Sequence, residues 1–190
     1  MDARIIKTTK RIRDTLLLIL QNKKLNDVSI SEICRRARIN RNTFYMHFAS
    51  PEAVLESIAD ELISEEYKIL ENHTKTKDIV IAACQFIKEH AKENIILLST
   101  GIEKEFIERG INYSHNAPFY TIENADEGYS PKHIKMIHSY IVNGAVAIIK
   151  EWLYSGMKES PEEIGETIDT ITTCLIAGIN QKNMITKNSL

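Results

Sequence analysis

Residues 28–55 read VSISEICRRARINRNTFYMHFASPEAVL, and this stretch decides the fold. Ser29-x-x-Glu32 has the form of a capping box, in which the serine oxygen accepts a free amide and the glutamate reaches back to the cap. Ile30, Ile33, Cys34 and Ala37 follow at helical spacing and give that helix one apolar face. Asn40 is the next N-cap and opens a second helix from Arg41 to about Phe48. Ser50-Pro51 starts a third, because proline at the first helical position gives up only an amide that was already free. Two short helices joined by Arg38-Ile39-Asn40 have the proportions of a helix-turn-helix, a DNA-reading unit.

The second of these helices has two distinct sides. Phe44 and Phe48 are four apart and share a face that packs under the first helix. Asn42 and Met46 point away from that core, flanked by Thr43 and Tyr45. An amide, a hydroxyl, a phenol and a thioether suit a DNA groove, with hydrogen bonds for base edges and apolar contact for thymine methyls.

Charge agrees with that orientation. Residues 1–50 hold eleven Lys or Arg against four Asp or Glu, whereas residues 51–190 hold thirteen against twenty-two. The formal net charge of −2 therefore conceals a basic head on an acidic body. Arg4, Lys7, Lys10, Arg11 and Arg13 lie before and along the first helix, and Arg35, Arg36, Arg38 and Arg41 flank the turn. Such a head is drawn to phosphate and such a body is repelled by it.

The residues Ile33, Arg36, Ala37, Ile39, Asn40, Thr43, Phe44, Tyr45, His47, Phe48, Glu52 and Leu55 together resemble the signature of the TetR family of transcriptional regulators. The resemblance covers about a quarter of the chain. It implies that Thr43, Tyr45 and His47 lie at the DNA, with Thr43 and Tyr45 on phosphates. It also implies that Arg41 and Asn42 approach bases, and that Ser29 and Ser31 meet backbone or groove edge. Two positions depart from the family pattern: Arg38 stands where glycine is usual, and Pro51 stands where a phosphate-anchoring lysine is usual.

Composition predicts a globule rather than a disordered chain, with 43% hydrophobic and 26% charged residues. The longest apolar run is far short of a membrane span, and the mixed charges at the N-terminus do not resemble a signal peptide, so the expected location is cytoplasmic with no membrane partner. Cys34, Cys84 and Cys174 lack metal spacing and read as reduced, buried small hydrophobes. His133 and His138 are five apart rather than four, so with His115 they give no metal site on one helix face. No phosphate loop, nucleophile elbow, HExxH or paired-cysteine motif is present, and the chain reads as a regulator without cofactor rather than an enzyme. The rival classes are an enzyme whose groups converge from distant positions and a non-specific DNA-binding module, whose affinity would ignore sequence and fall steeply with salt.

The expected fold is all-α, with a three-helix DNA-binding domain at 1–52 and a helical effector-binding and dimerisation domain at 53–190. Val54, Leu55, Ile58, Leu62, Ile63, Ile69 and Leu70 extend the helix begun at Pro51. Ile79, Ala82, Ala83, Phe86, Ile87 and Ala91 mark another, and Asn94–Arg109 a third, broken near Gly101 and stopped at Gly110. Tyr113–Tyr129 reads as a loop or short irregular helices. Ser130-Pro131 opens a long helix to about Tyr154, terminated at Gly156. Ser160-Pro161 opens a last helix to about Gly178, after which the polar tail is expected to fray.

The last two helices carry wide apolar surfaces that need either further helices or a second copy of the chain. Within them Tyr140, Gly144, Ile148, Trp152, Ile168, Ile171 and Leu175 are the expected interface, with mid-helix Gly144 permitting close helix contact. The family resemblance implies a homodimer formed as a four-helix bundle. Residues 140–161 also resemble the C-terminal domain of the dihydroxyacetone kinase regulator subgroup. The resemblance further implies a small-molecule effector in the body, for which Phe86, Phe106, Tyr113, Phe119, Tyr120 and Tyr140 are the candidate lining. The expected partners are double-stranded DNA, a second copy of the chain and that effector. Repression is the expected sign of regulation, with activation as the alternative.

Overall fold

The computed structural model describes residues 3–73, 75–100 and 130–187, and all regular structure among them is helical. In chain order the helices are α1 (Ala3–Leu20), α2 (Ile30–Ala37), α3 (Arg41–Tyr45), α4 (Pro51–Leu70), α5 (Thr76–Glu89), α6 (Ala91–Ser99), α7 (Pro131–Tyr154) and α8 (Pro161–Lys187). A 3-10 turn at Leu25–Asp27 stands between α1 and α2. No helix among the described residues is long and apolar enough to cross a membrane.

Contacts divide the chain into two compact units. The first holds the chain through Glu65 together with the segment from Lys92, and the second holds Glu66–Ala91 and the C-terminal helices. The first unit therefore reaches past residue 52 and takes in the first three-quarters of α4. Ile12, Leu16 and Ile19 of α1, Ile33, Cys34 and Ala37 of α2, Phe44 of α3, and Val54, Leu55 and Ile58 of α4 are among its buried apolar residues. Arg13 ties α1 to α4, its Nε donating to Ser57 Oγ at 3.0 Å and its Nη1 paired with Glu61.

In the second unit α5, α7 and α8 enclose a core of Val80, Cys84, Trp152, Ile164 and Ile168, with Ala145, Ile148 and Ile149 packed against it. Gly165 is what lets α8 approach α5. A Cβ there would lie 2.5 Å from Ile81 Cγ1 and 3.1 Å from its Cα. The edges of this contact are tied by Lys77 Nζ to Glu166 at 2.7 Å and by Gln85 Nε2 donating to Glu162 at 2.9 Å. Trp152 Nε1 donates to the Glu159 carbonyl at 3.1 Å, which fixes the α7–α8 turn. In that turn Gly156 (φ 90°) and Met157 (φ 54°) are left-handed, as expected where α7 stops.

Several boundaries differ from the sequence reading. Ala91 begins α6 rather than ending α5, because His90 leaves helical geometry (φ −105°, ψ 30°). Consequently α6 starts before Asn94, and Asn94 is buried. At the other end α8 continues to Lys187 instead of stopping near Gly178 or fraying after Asn180. The expected extension to Arg109, the stop at Gly110 and the irregular segment 113–129 lie outside the described residues. Cys34 and Cys84 are buried as expected, but Cys174 is exposed. Burial drives the Cys84 thiol up to about 12, so it stays protonated and packs as a small hydrophobe.

Glu66 continues the apolar stripe of α4, one turn after Leu62, and burial raises its carboxyl to about 7. Because the folded state holds this proton more tightly than the unfolded chain, stability is greatest below the ordinary carboxylate value and falls as pH rises toward 7. Glu66→Gln is expected to remove that slope. Urea midpoints of the two proteins should diverge between pH 5 and 8 with the variant higher at pH 8; parallel midpoints would contradict it.

Candidate DNA interface

Three local devices hold the candidate reading unit. Ser29 caps α2, its Oγ accepting from the Glu32 amide at 3.2 Å. Asn40 caps α3, its Oδ1 accepting from the Thr43 amide at 2.6 Å. Ser50 caps α4 through the Ala53 amide at 3.2 Å, with Pro51 next in line. Only half of the expected capping box forms at Ser29. The Glu32 carboxylate pairs instead with Lys23 at 2.7 Å and Arg36 at 2.9 Å, which hold it below the ordinary carboxylate value. A full box forms at α8, where Ser160 N–H donates to Glu163 at 2.7 Å and Glu163 N–H to Ser160 Oγ at 3.1 Å.

Arg38 sets the angle between α2 and α3. Its backbone is left-handed (φ 52°, ψ 49°). The Ile39 amide closes on the Cys34 carbonyl at 3.0 Å and the Arg38 amide on Arg35 at 3.4 Å. This is the Schellman closure for which glycine is the usual residue, and a side chain there costs roughly 1–2 kcal/mol.

The faces of α3 separate as its sequence implies. Phe44 is fully buried and Phe48 nearly so, their rings 6.2 Å apart. Asn42 and Arg41 are exposed, Tyr45 is 51% exposed and Met46 79% exposed. Thr43 and His47 are half-buried, and Ser29 and Ser31 are exposed at the start of α2. Met46 and Tyr45 thus put a bare thioether and a phenol on the solvent-facing side of α3. The regular helix ends at Tyr45, three residues short of the expected Phe48. Beyond it the His47 and Phe48 amides both return to the Phe44 carbonyl at 2.9 Å, so Phe48 reaches the core from a tightened turn.

The basic residues divide into two groups. Arg13 and Arg36 are paired within the chain, and Arg11 Nη1 reaches the Ala37 carbonyl at 3.4 Å. These three brace the unit. Lys7, Lys10, Arg35, Arg38 and Arg41 are exposed with no ion-pair partner among the described residues, and they are uncompensated positive charge on the surface of the first unit.

The expected effector and dimer residues fare unevenly. Phe86 is buried in α5 against His90, ring centroids 4.4 Å apart, whereas Phe106, Tyr113, Phe119 and Tyr120 lie outside the described residues. Tyr140 is 69% exposed. Trp152 and Ile168 are core residues of the second unit, not surface, and Ile148 packs against the same core. The reason is that α7 and α8 each carry apolar residues on more than one side, and the inward side takes these three. Tyr140, Gly144 and Ile171 remain exposed, Leu175 is half-buried, and a Cβ on Gly144 would meet nothing within 4 Å. Met136 and Tyr154 add exposed apolar area to α7.

Comparison with known proteins matches residues 74–174 to a TetR-type family model described as "Transcriptional regulator C-terminal region". The A-factor receptor protein of Streptomyces griseus is 37% identical over 62 residues, 33% of this chain and 22% of that one. The HTH-type transcriptional regulator YvdT of Bacillus subtilis is 27% identical over 100 residues, 49% of this chain and 52% of that one. The matches thus span between about a fifth and a half of these relatives' lengths. Among solved structures, a TetR transcriptional regulator from Streptococcus agalactiae 2603V superposes with a TM-score of 0.70 at 17% identity, covering 90% of this chain and 96% of the other. The dihydroxyacetone kinase operon activator DhaS superposes with a TM-score of 0.64 at 20% identity, covering 90% and 97%.

Proposed function

The chain belongs to the TetR family of transcriptional regulators, not to a class of enzymes, and from that membership we propose that it binds a palindromic DNA operator as a homodimer and releases it in response to a small-molecule effector. Residues 1–52 carry the DNA contact and residues 53–190 the effector and dimer functions. The carrying observation is the face of α3, where Asn42 and Met46 stand exposed opposite buried Phe44 with Tyr45 exposed beside them. Arg41 and Asn42 at the start of α3 address base edges. Thr43, Tyr45 and His47 address phosphates and groove wall, and Ser29 and Ser31 address the backbone from α2.

The exposed stripe of Met136, Tyr140, Gly144 and Ile171 is the surface proposed to meet a second copy. Two reading helices then engage half-sites about one DNA turn, roughly 34–36 Å, apart. An effector acts by favouring a state in which that spacing is lost. Repression is the reading adopted; the structural likeness to DhaS, an operon activator, is what favours activation as the second reading.

Selection of bound sequences from a random DNA pool tests this directly. An enriched palindrome is the expected result, and failure to enrich any sequence, with and without cell extract as an effector source, would overturn it. Repeating the selection with Asn42→Ala is expected to relax preference at one base pair per half-site, costing about 1–3 kcal/mol there. An unchanged preference at every position would remove Asn42 from the base-reading set.

A further inference from the structure

In the first unit, the end of α1, the 3-10 turn and the end of α6 enclose a cleft of about 560 Å³ that the DNA-reading face does not use. That volume is typical of a small-molecule site. Leu20, Leu25 and Ile96 form its apolar floor, and Leu25 and Ile96 are buried. Asn22, Lys24, Asn26, Ser99 and Thr100 are polar residues of its lining.

The charge balance in the cleft is positive. Lys23, which also lines it, is held by Glu32 at 2.7 Å, and the same carboxylate takes Arg36 at 2.9 Å. One carboxylate shared by two cations leaves Lys24 uncompensated, with no ion-pair partner among the described residues. The last carbonyls of a helix ordinarily disfavour an anion. Here the Ser99 hydroxyl donates to the Ile96 carbonyl at 3.0 Å and the Thr100 hydroxyl to Leu97 at 2.9 Å. Two of the four end carbonyls of α6 are thereby capped, and both hydroxyl oxygens are left as acceptors.

We propose that this cleft binds a small organic anion. A carboxylate or phosphate group meets the Lys24 ammonium, with the amides of Asn22 and Asn26 as flanking donors. An aliphatic portion covers Leu20, Leu25 and Ile96, and a hydroxyl or amine on the ligand is accepted by Ser99 and Thr100. Such a site binds whether or not DNA is present, so it stands independently of the operator reading.

The test uses the full chain and four six-carbon probes: hexanoate, hexyl phosphate, hexanol and hexylamine. Calorimetric titration is expected to give saturable binding of hexanoate, hexyl phosphate or both, about tenfold tighter than hexanol or hexylamine, as a charge-assisted contact implies. Which of the two anions binds better identifies the head group. Methyl signals of Leu20, Leu25 and Ile96 should move on titration, while those of Ile164 and Ile168 in the second unit should not. Lys24 is exposed, so Lys24→Glu leaves the fold intact by circular dichroism and is expected to reverse the order, with hexylamine above hexanoate. Equal binding of hexanoate and hexanol, methyl shifts confined to other residues, or an unreversed order in Lys24→Glu would each overturn the proposal.

Discussion

Phe44→Ala is expected to lose about 3–5 kcal/mol from the first unit and with it all operator binding. Phe44 is completely buried, lies edge-on to Tyr45 with centroids 5.8 Å apart, and contacts Phe48 beyond the turn. Truncation leaves a cavity beneath α3, a helix of five residues with little stability of its own. The two units have separate cores, and the single tryptophan, Trp152, lies in the second. Helical circular dichroism should therefore begin to fall at lower denaturant in the variant, while Trp152 fluorescence keeps its wild-type midpoint. Phe44→Leu is expected to recover more than half of the loss, since it restores most of the volume. A coincident shift of both probes would show that the units unfold together and would refute the local account.

Gly165→Leu is expected to destabilise the second unit by about 3 kcal/mol through overpacking. Even the Cβ of that side chain falls 2.5 Å from Ile81 Cγ1, and the Ile81 backbone at 3.1 and 3.2 Å cannot swing aside as the side chain can. Here the reporter is reversed: Trp152 fluorescence should lose its folded signal at lower denaturant. The contact can be dissected with Gly165→Ala, Ile81→Ala and the double variant. Removing Ile81 Cγ1 relieves the shortest approach but not the backbone ones. The double variant should therefore be more stable than the sum of the singles implies, by about 0.5–1 kcal/mol. Additive losses would mean that the two residues do not meet. The sequence singles out Gly144 for close helix contact, yet within the chain a Cβ there meets nothing within 4 Å and Gly165 is the glycine against a neighbouring helix, because which glycine faces a neighbour is decided only by where that helix packs.

The reading unit was almost wholly legible in residues 28–55 because its determinants are local. Ser29, Asn40 and Ser50 cap amides three residues ahead of them, and the spacing of Phe44 and Phe48 alone separates the core side of α3 from its outer side. Arg38 stands where the family pattern has glycine, and its left-handed backbone is the physical reason for that preference. What the sequence misjudged there was competition: Glu32 had a capping role within reach, but Lys23 and Arg36 offered opposite charge and took it.

The second unit was legible as helices but not as faces. Helix starts at Pro131 and Pro161 and the stop before Gly156 follow from proline and glycine chemistry, which acts within a few residues. Trp152 and Ile168, by contrast, have the same apolar character and helical spacing as Tyr140 and Ile171, yet the first pair is buried and the second exposed. Periodicity says that a helix has apolar sides, and only the packing of α5 against α7 and α8 decides which side is already filled. Sequence by itself thus determined where most helices start and which side of α3 faces solvent, both fixed by interactions a few residues long. Tertiary structure alone decided which apolar residues are core, which arginines brace the head, and where Lys24 meets a cleft, because each depends on a partner distant in the chain.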